Sequence, residues 1–290
     1  MPDSLIPSGH RLRCGARDLD LSYPQIMGVL NVTPDSFSDG GKFVSPQAAI
    51  AQALRMVEEG ASIIDIGGES TRPGAAQVTE QQELDRVVPV VEALAGEIDA
   101  VISVDTSTPS VMLESARAGA GLINDVRALS REGALKAAKN CQLPVCLMHM
   151  QGQPDSMQNN PTYNSVVDEV MGYLLRRVDV CVEQGISKDQ LLIDPGFGFG
   201  KTLQHNLLLL KELGRFQAMG LPVLVGMSRK SMIGTLLDKP VDQRLFGSLA
   251  AAVIAVQKNA RIIRVHDVGP TADAIKVAMA VAVEQDKESS

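Results

Sequence analysis

Short apolar runs alternate with longer helix-like segments along almost the whole chain. Runs of strand length occupy residues 26–30, 62–66, 101–104, 121–123, 144–147, 191–193, 222–225 and 261–265. Strict alternation of strands and helices predicts a parallel sheet, with helices connecting successive strands. Eight such units within 290 residues fit one closed (β/α)8 barrel, the TIM-barrel architecture, better than an open doubly wound sheet.

Local signals support the helices and set the predicted boundaries. Pro46 and Gly60 bracket a first helix, and Thr79 with Gln82 forms a capping-box pattern at the start of the next. Three more helices are predicted over 109–118, over 165–183 and from residue 271 onward. The predicted organisation is an N-terminal leader or barrel cap (1–24), the barrel (25–285) and a polar tail (286–290).

Composition narrows the class of protein. Apolar residues make up 45% of the chain and charged residues 21%, which allows an ordinary globular core. A net charge of -7 argues against a nucleic-acid partner, and no segment approaches the ~20 apolar residues of a membrane span. The four cysteines form no CxxC pair, so we expect reduced thiols in a cytoplasmic protein.

A glycine-rich loop, residues 194–201, follows the sixth predicted strand and reads Asp-Pro-Gly-Phe-Gly-Phe-Gly-Lys. Glycine at alternate positions is unfavourable inside a helix or strand, but it allows backbone to lie close against a flat ligand. The loop is either a buried turn whose phenylalanines fill the core or a binding loop at a strand end. The second interpretation predicts that Asp194 accepts hydrogen bonds from a planar, nitrogen-rich substrate.

Polar side chains stand at nearly every predicted strand end, where barrel enzymes build their active sites. They are Asn31, Asp65, Asp105, Asn124, Met148 (the one apolar member), Asp194, Lys230, Arg264 and His266. Each alone is equally consistent with a helix cap or a turn, but together they predict a site. The acidic and amide members suit a heterocycle with adjacent N–H groups, and the basic members of the last two strands suit a phosphate.

Two loops, residues 32–41 and 67–74, are rich in Gly, Pro and Ser and follow the first two strands. They are either surface turns or mobile active-site lids. Phe37 in one and Arg72 in the other favour the second interpretation.

Five segments resemble the motifs of bacterial dihydropteroate synthases: 27–41, 65–74, 194–201, 228–231 and 264–267. The resemblance spans roughly residues 26–281, with the motifs in the family's order. It implies a transferase of folate synthesis that joins 4-aminobenzoate to the methylene carbon of 6-hydroxymethyl-7,8-dihydropterin diphosphate and releases diphosphate. Sulfonamides mimic aminobenzoate in this family, which makes the enzyme their target.

The resemblance also implies residue roles and an assembly. The pterin is held by Asp105, Asn124, Asp194 and Lys230, with Met148 on its face. The diphosphate is contacted by Thr71, Arg264, His266 and, through Mg²⁺, Asn31; the metal is the implied cofactor. The aminobenzoate pocket is shaped by Phe37, Phe199, Arg72, Pro73 and Ser231. Lys230, Arg264 and His266 are the implied catalytic residues, and the late helices (248–256 and 274–283) are implied to form a homodimer.

Two alternatives share part of this pattern. A methyltetrahydrofolate-dependent methyltransferase resembles the chain at Asp105, Asn124 and Asp194, but it needs neither a diphosphate site nor the two loop motifs. A catalytically silent pterin-binding paralogue should have lost charges from the rim, whereas Lys230 and Arg264 are present.

Overall fold

The protein is a (β/α)8 barrel whose amino-terminal end is covered by a short hairpin. The computed structural model describes residues 11–32, 46–69, 78–152 and 156–288. The hairpin consists of β1 (Arg11–Cys14) and β2 (Arg17–Asp20), which pair in antiparallel fashion. The barrel strands are β3 (Gln25–Asn31), β4 (Ile63–Gly67), β5 (Val101–Asp105), β6 (Leu122–Asp125), β7 (Val145–Met148), β8 (Leu191–Asp194), β9 (Leu224–Val225) and β10 (Ile262–Val265).

The strands form an 8-stranded parallel sheet in the order β8-β7-β6-β5-β4-β3-β10-β9. Its two edges meet where Ile193 of β8 bridges to Val223, just before β9, and the Ile193 N–H donates to the Pro222 carbonyl at 3.0 Å. The predicted parallel sheet and (β/α)8 barrel architecture are therefore confirmed.

The helices are α1 (Pro46–Glu58), α2 (Glu80–Ala95), α3 (Pro109–Ala118), α4 (Ala134–Cys141), α5 (Val166–Glu183), α6 (Leu203–Lys211), α7 (Ser231–Leu237), α8 (Leu245–Gln257) and α9 (Val268–Glu288). The capping box of α2 is present, because Thr79 and Gln82 each accept from the other's backbone N–H. The predicted start of α9 at Thr271 is wrong by three residues. Thr271 lies inside the first turn, where its hydroxyl donates to the Asp267 carbonyl at 2.6 Å.

The hairpin buries its apolar side chains against the first residues of the barrel strands. Leu12, Leu19 and Leu21 share a cluster with Leu122 and Leu192, separate from the larger core between the strands and the helices. This packing leaves the carboxyl-terminal rim as the open end of the barrel. None of the helices in the described ranges has the length and apolarity needed to cross a membrane.

Candidate active site at the carboxyl ends of the strands

Strand register places several of the predicted residues at one level of the rim. Asn31 pairs with Gly67, Gly67 with Asp105, and Asp105 with Asn124, so the ends of β3 to β6 lie side by side. Further round the barrel, Met148 of β7 pairs with Asp194 of β8 in the same way. The sheet therefore brings together side chains that are far apart in the sequence.

Arg264 and Asp65 form the centre of a buried polar cluster. The Arg264 guanidinium donates to Asp65 Oδ2 at 2.6 Å and to Asp105 Oδ2 at 2.9 Å. Ser103 and Asn124 also donate to the Asp65 carboxylate, at 2.6 and 3.2 Å. Asp65 thus joins three strand ends to Arg264. The sequence pattern predicts Asp65 at the rim without a role, and it does not predict Ser103.

Burial controls the protonation of this cluster. Burial raises the pKa of Asp105 to about 7, although the neighbouring Arg264 acts in the opposite direction. Burial alone would lower the pKa of Arg264, but the Asp65 and Asp105 carboxylates raise it by more, so the guanidinium keeps its charge. Arg264 accordingly lies among the predicted acceptors for the heterocycle, and its contact with a phosphate stays a prediction.

A second group of site residues surrounds Asp194. Its Oδ1 accepts from the Gly196 N–H at 2.7 Å, and burial raises its pKa while Lys230 opposes the shift. Lys230 Nζ donates to the Phe197 carbonyl at 2.6 Å and lies 4.6 Å from the centre of the Phe199 ring. Burial lowers the pKa of Lys230 to about 8, although the Asp194 carboxylate acts to raise it. The ammonium is therefore held between the glycine loop and the carboxylate.

The other described candidates occupy the rim around these two groups. Met148 is buried behind the glycine loop, where a Cβ added to Gly196 would lie 3.3 Å from its Cγ. The His266 N–H and Nδ1 each lie 3.2 Å from the Ser228 hydroxyl. Ser231 is exposed at the start of α7, and Asn31 is half-buried at the end of β3.

Four candidates cannot be placed, because they lie outside the described residues: Phe37, Thr71, Arg72 and Pro73. The described first residues of the second loop are nevertheless held by side chains of other elements. Arg86 donates to the Gly68 carbonyl at 3.0 Å, and Arg127 forms an ion pair with Glu69 at 3.4 Å. Both contacts fix the point at which this loop leaves β4.

The fold and the rim together define a class: a barrel enzyme with a polar ligand site at the carboxyl ends of its strands. Comparison with known proteins identifies the family. The model for pterin binding enzymes matches residues 27–266. The dihydropteroate synthase of Haemophilus influenzae is 58% identical over 272 residues, which cover 94% of this chain and 99% of that enzyme.

Solved structures agree with this assignment. The Yersinia pestis dihydropteroate synthase in a sulfonamide drug complex is 56% identical, with a TM-score of 0.91 over 94% of this chain and 99% of that one. The Xanthomonas albilineans dihydropteroate synthase with 4-aminobenzoic acid is 49% identical, with a TM-score of 0.90 over 94% and 98% of the two chains. The chain belongs to the dihydropteroate synthase family of pterin-binding enzymes.

The raised pKa of Asp105 predicts a pH dependence of stability. A carboxyl group that binds its proton more tightly when folded contributes stability below its ordinary pKa of 3.8, and this contribution is lost as the pH rises through about 7. Wild type should therefore lose stability relative to Asp105→Asn between these pH values. Urea unfolding of both proteins, followed by circular dichroism from pH 4 to 8, measures the difference. A difference independent of pH would contradict the raised pKa.

Proposed function

We propose that the protein condenses 4-aminobenzoate with 6-hydroxymethyl-7,8-dihydropterin diphosphate to give 7,8-dihydropteroate and diphosphate. The observation that carries this proposal is the set of acceptors at the barrel mouth. Asp194 is a buried carboxylate and Asp105 a half-buried one, Asn124 pairs with Asp105 in the strand register, and Lys230 and Arg264 balance their charge. Adjacent N–H groups of a pterin ring match such a surface, because a carboxylate accepts two parallel donors.

In this proposal the pterin lies across the barrel mouth. Asp194 accepts from the ring, Asn124 and Asp105 bind its other polar edge, and Lys230 donates to a ring acceptor. Met148 supplies an apolar contact with the face of the ring. The positions of these residues support this placement of the pterin. Asp194 and Met148 pair in the strand register, and Lys230 lies close enough to Asp194 to feel its charge.

The diphosphate is assigned to the outer rim, with His266, Arg264 and Thr71 as contacts and Mg²⁺ as cofactor. No group of His, Cys, Asp or Glu side chains in the described ranges could hold a metal alone. Mg²⁺ commonly uses few protein ligands and takes its other oxygens from substrate phosphates and water. The half-buried amide oxygen of Asn31 at the end of β3 fits that requirement. When bound, the metal would neutralise charge on the leaving diphosphate.

Aminobenzoate is assigned to the space beside the glycine loop. Phe199, whose ring lies on the Lys230 ammonium, and Ser231 at the start of α7 line its described side. Phe37, Arg72 and Pro73 complete the pocket in this proposal. The same subsite would accept sulfonamides, a class of drug that the Yersinia pestis relative binds in its solved complex.

We infer that the chain acts mainly by positioning and by stabilising charge, without a covalent intermediate. Cys146 lies inside the barrel, and burial raises the pKa of its thiol well above the ordinary value, which makes it a poor nucleophile. The neutral amine of aminobenzoate already has a free lone pair. Electrostatic help is therefore most useful at the breaking C–O bond, where charge develops on the leaving group.

The first experiment supplies both substrates and Mg²⁺ and measures dihydropteroate formation. Wild type should be active, and Asp194→Asn should weaken pterin binding by about 2–4 kcal/mol, because an amide N–H then faces ring donors and a charge-assisted bond is lost. Asp189→Asn, at an exposed site two residues before the start of β8, is the control and should match wild type.

Calorimetry with a pterin ligand measures the affinity of each variant directly. Equal affinity of Asp194→Asn and wild type would remove Asp194 from the pterin site. Absence of dihydropteroate from wild type would instead favour the methyltransferase or the silent paralogue.

The order of bond breaking gives a second prediction. If diphosphate leaves before the amine attacks, an ¹⁸O label in the oxygen that bridges the methylene carbon and phosphorus should move to non-bridging positions. This scrambling should occur with enzyme and Mg²⁺ in the absence of aminobenzoate, because the separated ions recombine. Nuclear magnetic resonance of ³¹P detects the isotope shift. An unscrambled label in an enzyme that turns over the complete mixture would show that cleavage waits for the amine.

We also propose that the enzyme is a cytoplasmic homodimer. The cysteines of the described ranges are free, which is compatible with a reducing compartment. Large apolar side chains are exposed on α7, α8 and α9, and Phe246 on α8 is 75% exposed. Leu236 on α7 and Val277 on α9 are exposed as well, and protein interfaces commonly cover large apolar side chains of this kind.

Light scattering tests the dimer. Wild type should have about twice the chain mass of 30.9 kDa. Phe246→Glu should shift it towards the monomer, because a charge would then be buried in the interface. Leu175→Glu is the control: it introduces the same charge at an exposed apolar side chain on α5 and should leave the mass unchanged. A monomeric wild type at micromolar concentration would contradict the proposal.

A further inference from the structure

Side chains hold every backbone carbonyl of the glycine loop from Gly196 to Gly200. Lys201 Nζ donates to the Gly196 and Phe199 carbonyls at 2.8 and 3.0 Å, and Lys230 donates to that of Phe197. The two remaining carbonyls, of Gly198 and Gly200, accept from the side chains of Gln158 and Tyr163. A loop without regular secondary structure is in this way fixed in one shape.

Lys201 is the most deeply buried of these donors, at 3% exposure. Besides the two carbonyls, its Nζ lies 2.9 Å from His149 Nδ1. An ammonium group has three N–H donors, and these three close neighbours can each accept one. Burial lowers the pKa of Lys201, although Asp194 acts in the opposite direction. The loop therefore keeps a lysine in a position where its charge is costly.

His149 connects Lys201 to the rigid strand ends. Its backbone N–H donates to the Asp194 carbonyl at 2.9 Å. Its ring packs edge-on against the Tyr173 ring, with the ring centroids 5.0 Å apart. Burial and the Lys201 charge lower the pKa of His149 to about 3, so the imidazole is neutral and its Nδ1 can accept. A Cβ at Gly196 would lie only 1.8 Å from the His149 carbonyl oxygen, which shows how closely the loop is seated.

We propose that Lys201, supported by His149, is a positioning residue that fixes Phe199 for the aminobenzoate subsite without contacting either substrate. This inference rests on the function proposed above, in which Phe199 shapes that subsite. Asp194 is anchored independently, because it belongs to β8 and pairs with Met148. Loss of Lys201 should therefore affect aminobenzoate more than the pterin.

The first test compares Lys201→Met with Lys211→Met. Methionine has nearly the length of lysine and fills a buried site without donating, whereas Lys211 is an exposed residue of the following helix. Lys201→Met should raise the KM for aminobenzoate about tenfold, with kcat and the KM for the pterin diphosphate changed by less than about threefold. Lys211→Met should behave like wild type. An unchanged aminobenzoate KM, or an equal rise for both substrates, would overturn the proposal.

The second test uses His149 and remains informative if Lys201→Met does not fold. His149→Leu and His149→Asn both remove the ring that packs on Tyr173, but asparagine keeps an oxygen acceptor close to the position of Nδ1. His149→Asn should retain an aminobenzoate KM near that of wild type, and His149→Leu should raise it several-fold. Equal KM values for the two variants would show that the link between Lys201 and His149 does not position the subsite.

Hydrogen exchange separates this proposal from the proposed function. In Lys201→Met and His149→Leu, backbone amides of residues 196–200 should exchange at least tenfold faster, while those of β7 and β8 keep their protection. This measurement needs no substrate. An inactive wild type would refute the proposed activity alone, whereas unchanged loop exchange in both variants would refute the positioning role alone.

Discussion

Closure of the parallel sheet is the constraint on which the site depends. Once β8 meets β9, the carboxyl end of every barrel strand lies on one rim, and several of the polar residues there, such as Asp65, Asn124 and Asp194, are buried. Desolvation then becomes the largest influence on their protonation, raising the pKa of Asp105 and lowering that of Lys230. Without the opposite charges around them, the charged forms of both groups would destabilise the folded protein.

The site is positioned by two different means. Asp105, Asn124 and Met148 belong to strands, so the hydrogen bonds of the sheet fix where their side chains start. Phe199 belongs to a loop, and its backbone depends on side chains such as Lys201. Strand ends tolerate changes in their surroundings because the whole barrel supports them, whereas the loop relies on a few specific donors.

Much of this arrangement was predictable from sequence, because it follows from local patterns. Alternating apolar runs gave the barrel, and polar residues at the ends of those runs gave most of the rim. Ser103 carried a usable signal, since it lies two residues before Asp105 on the same face of an otherwise apolar strand.

Other features depend on contacts between distant parts of the chain and left no local signal. The contact of Lys201 with His149 joins residues 52 apart in sequence, and Arg264 reaches Asp65 across 199 residues. The β1–β2 hairpin was missed as structure because its strands are only four residues long and rich in charge. Which donor meets which acceptor is decided by packing, and single-residue propensities do not contain that information.

The balance of charge in the barrel mouth limits what a ligand can do there. The carboxylates of Asp65, Asp105 and Asp194 are faced by Arg264, Lys230 and Lys201, and each of these cations already donates to a carboxylate or a carbonyl. A neutral heterocycle can enter this set by exchanging hydrogen bonds, without disturbing its net charge. A diphosphate can meet this set only through guanidinium N–H groups of Arg264 beyond the two that bind Asp65 and Asp105, because drawing the whole cation away would leave a carboxylate uncompensated. In the proposed function, the anionic end of the substrate therefore touches this set at Arg264 alone and extends towards the more exposed rim, where the proposed metal ion would supply the missing positive charge.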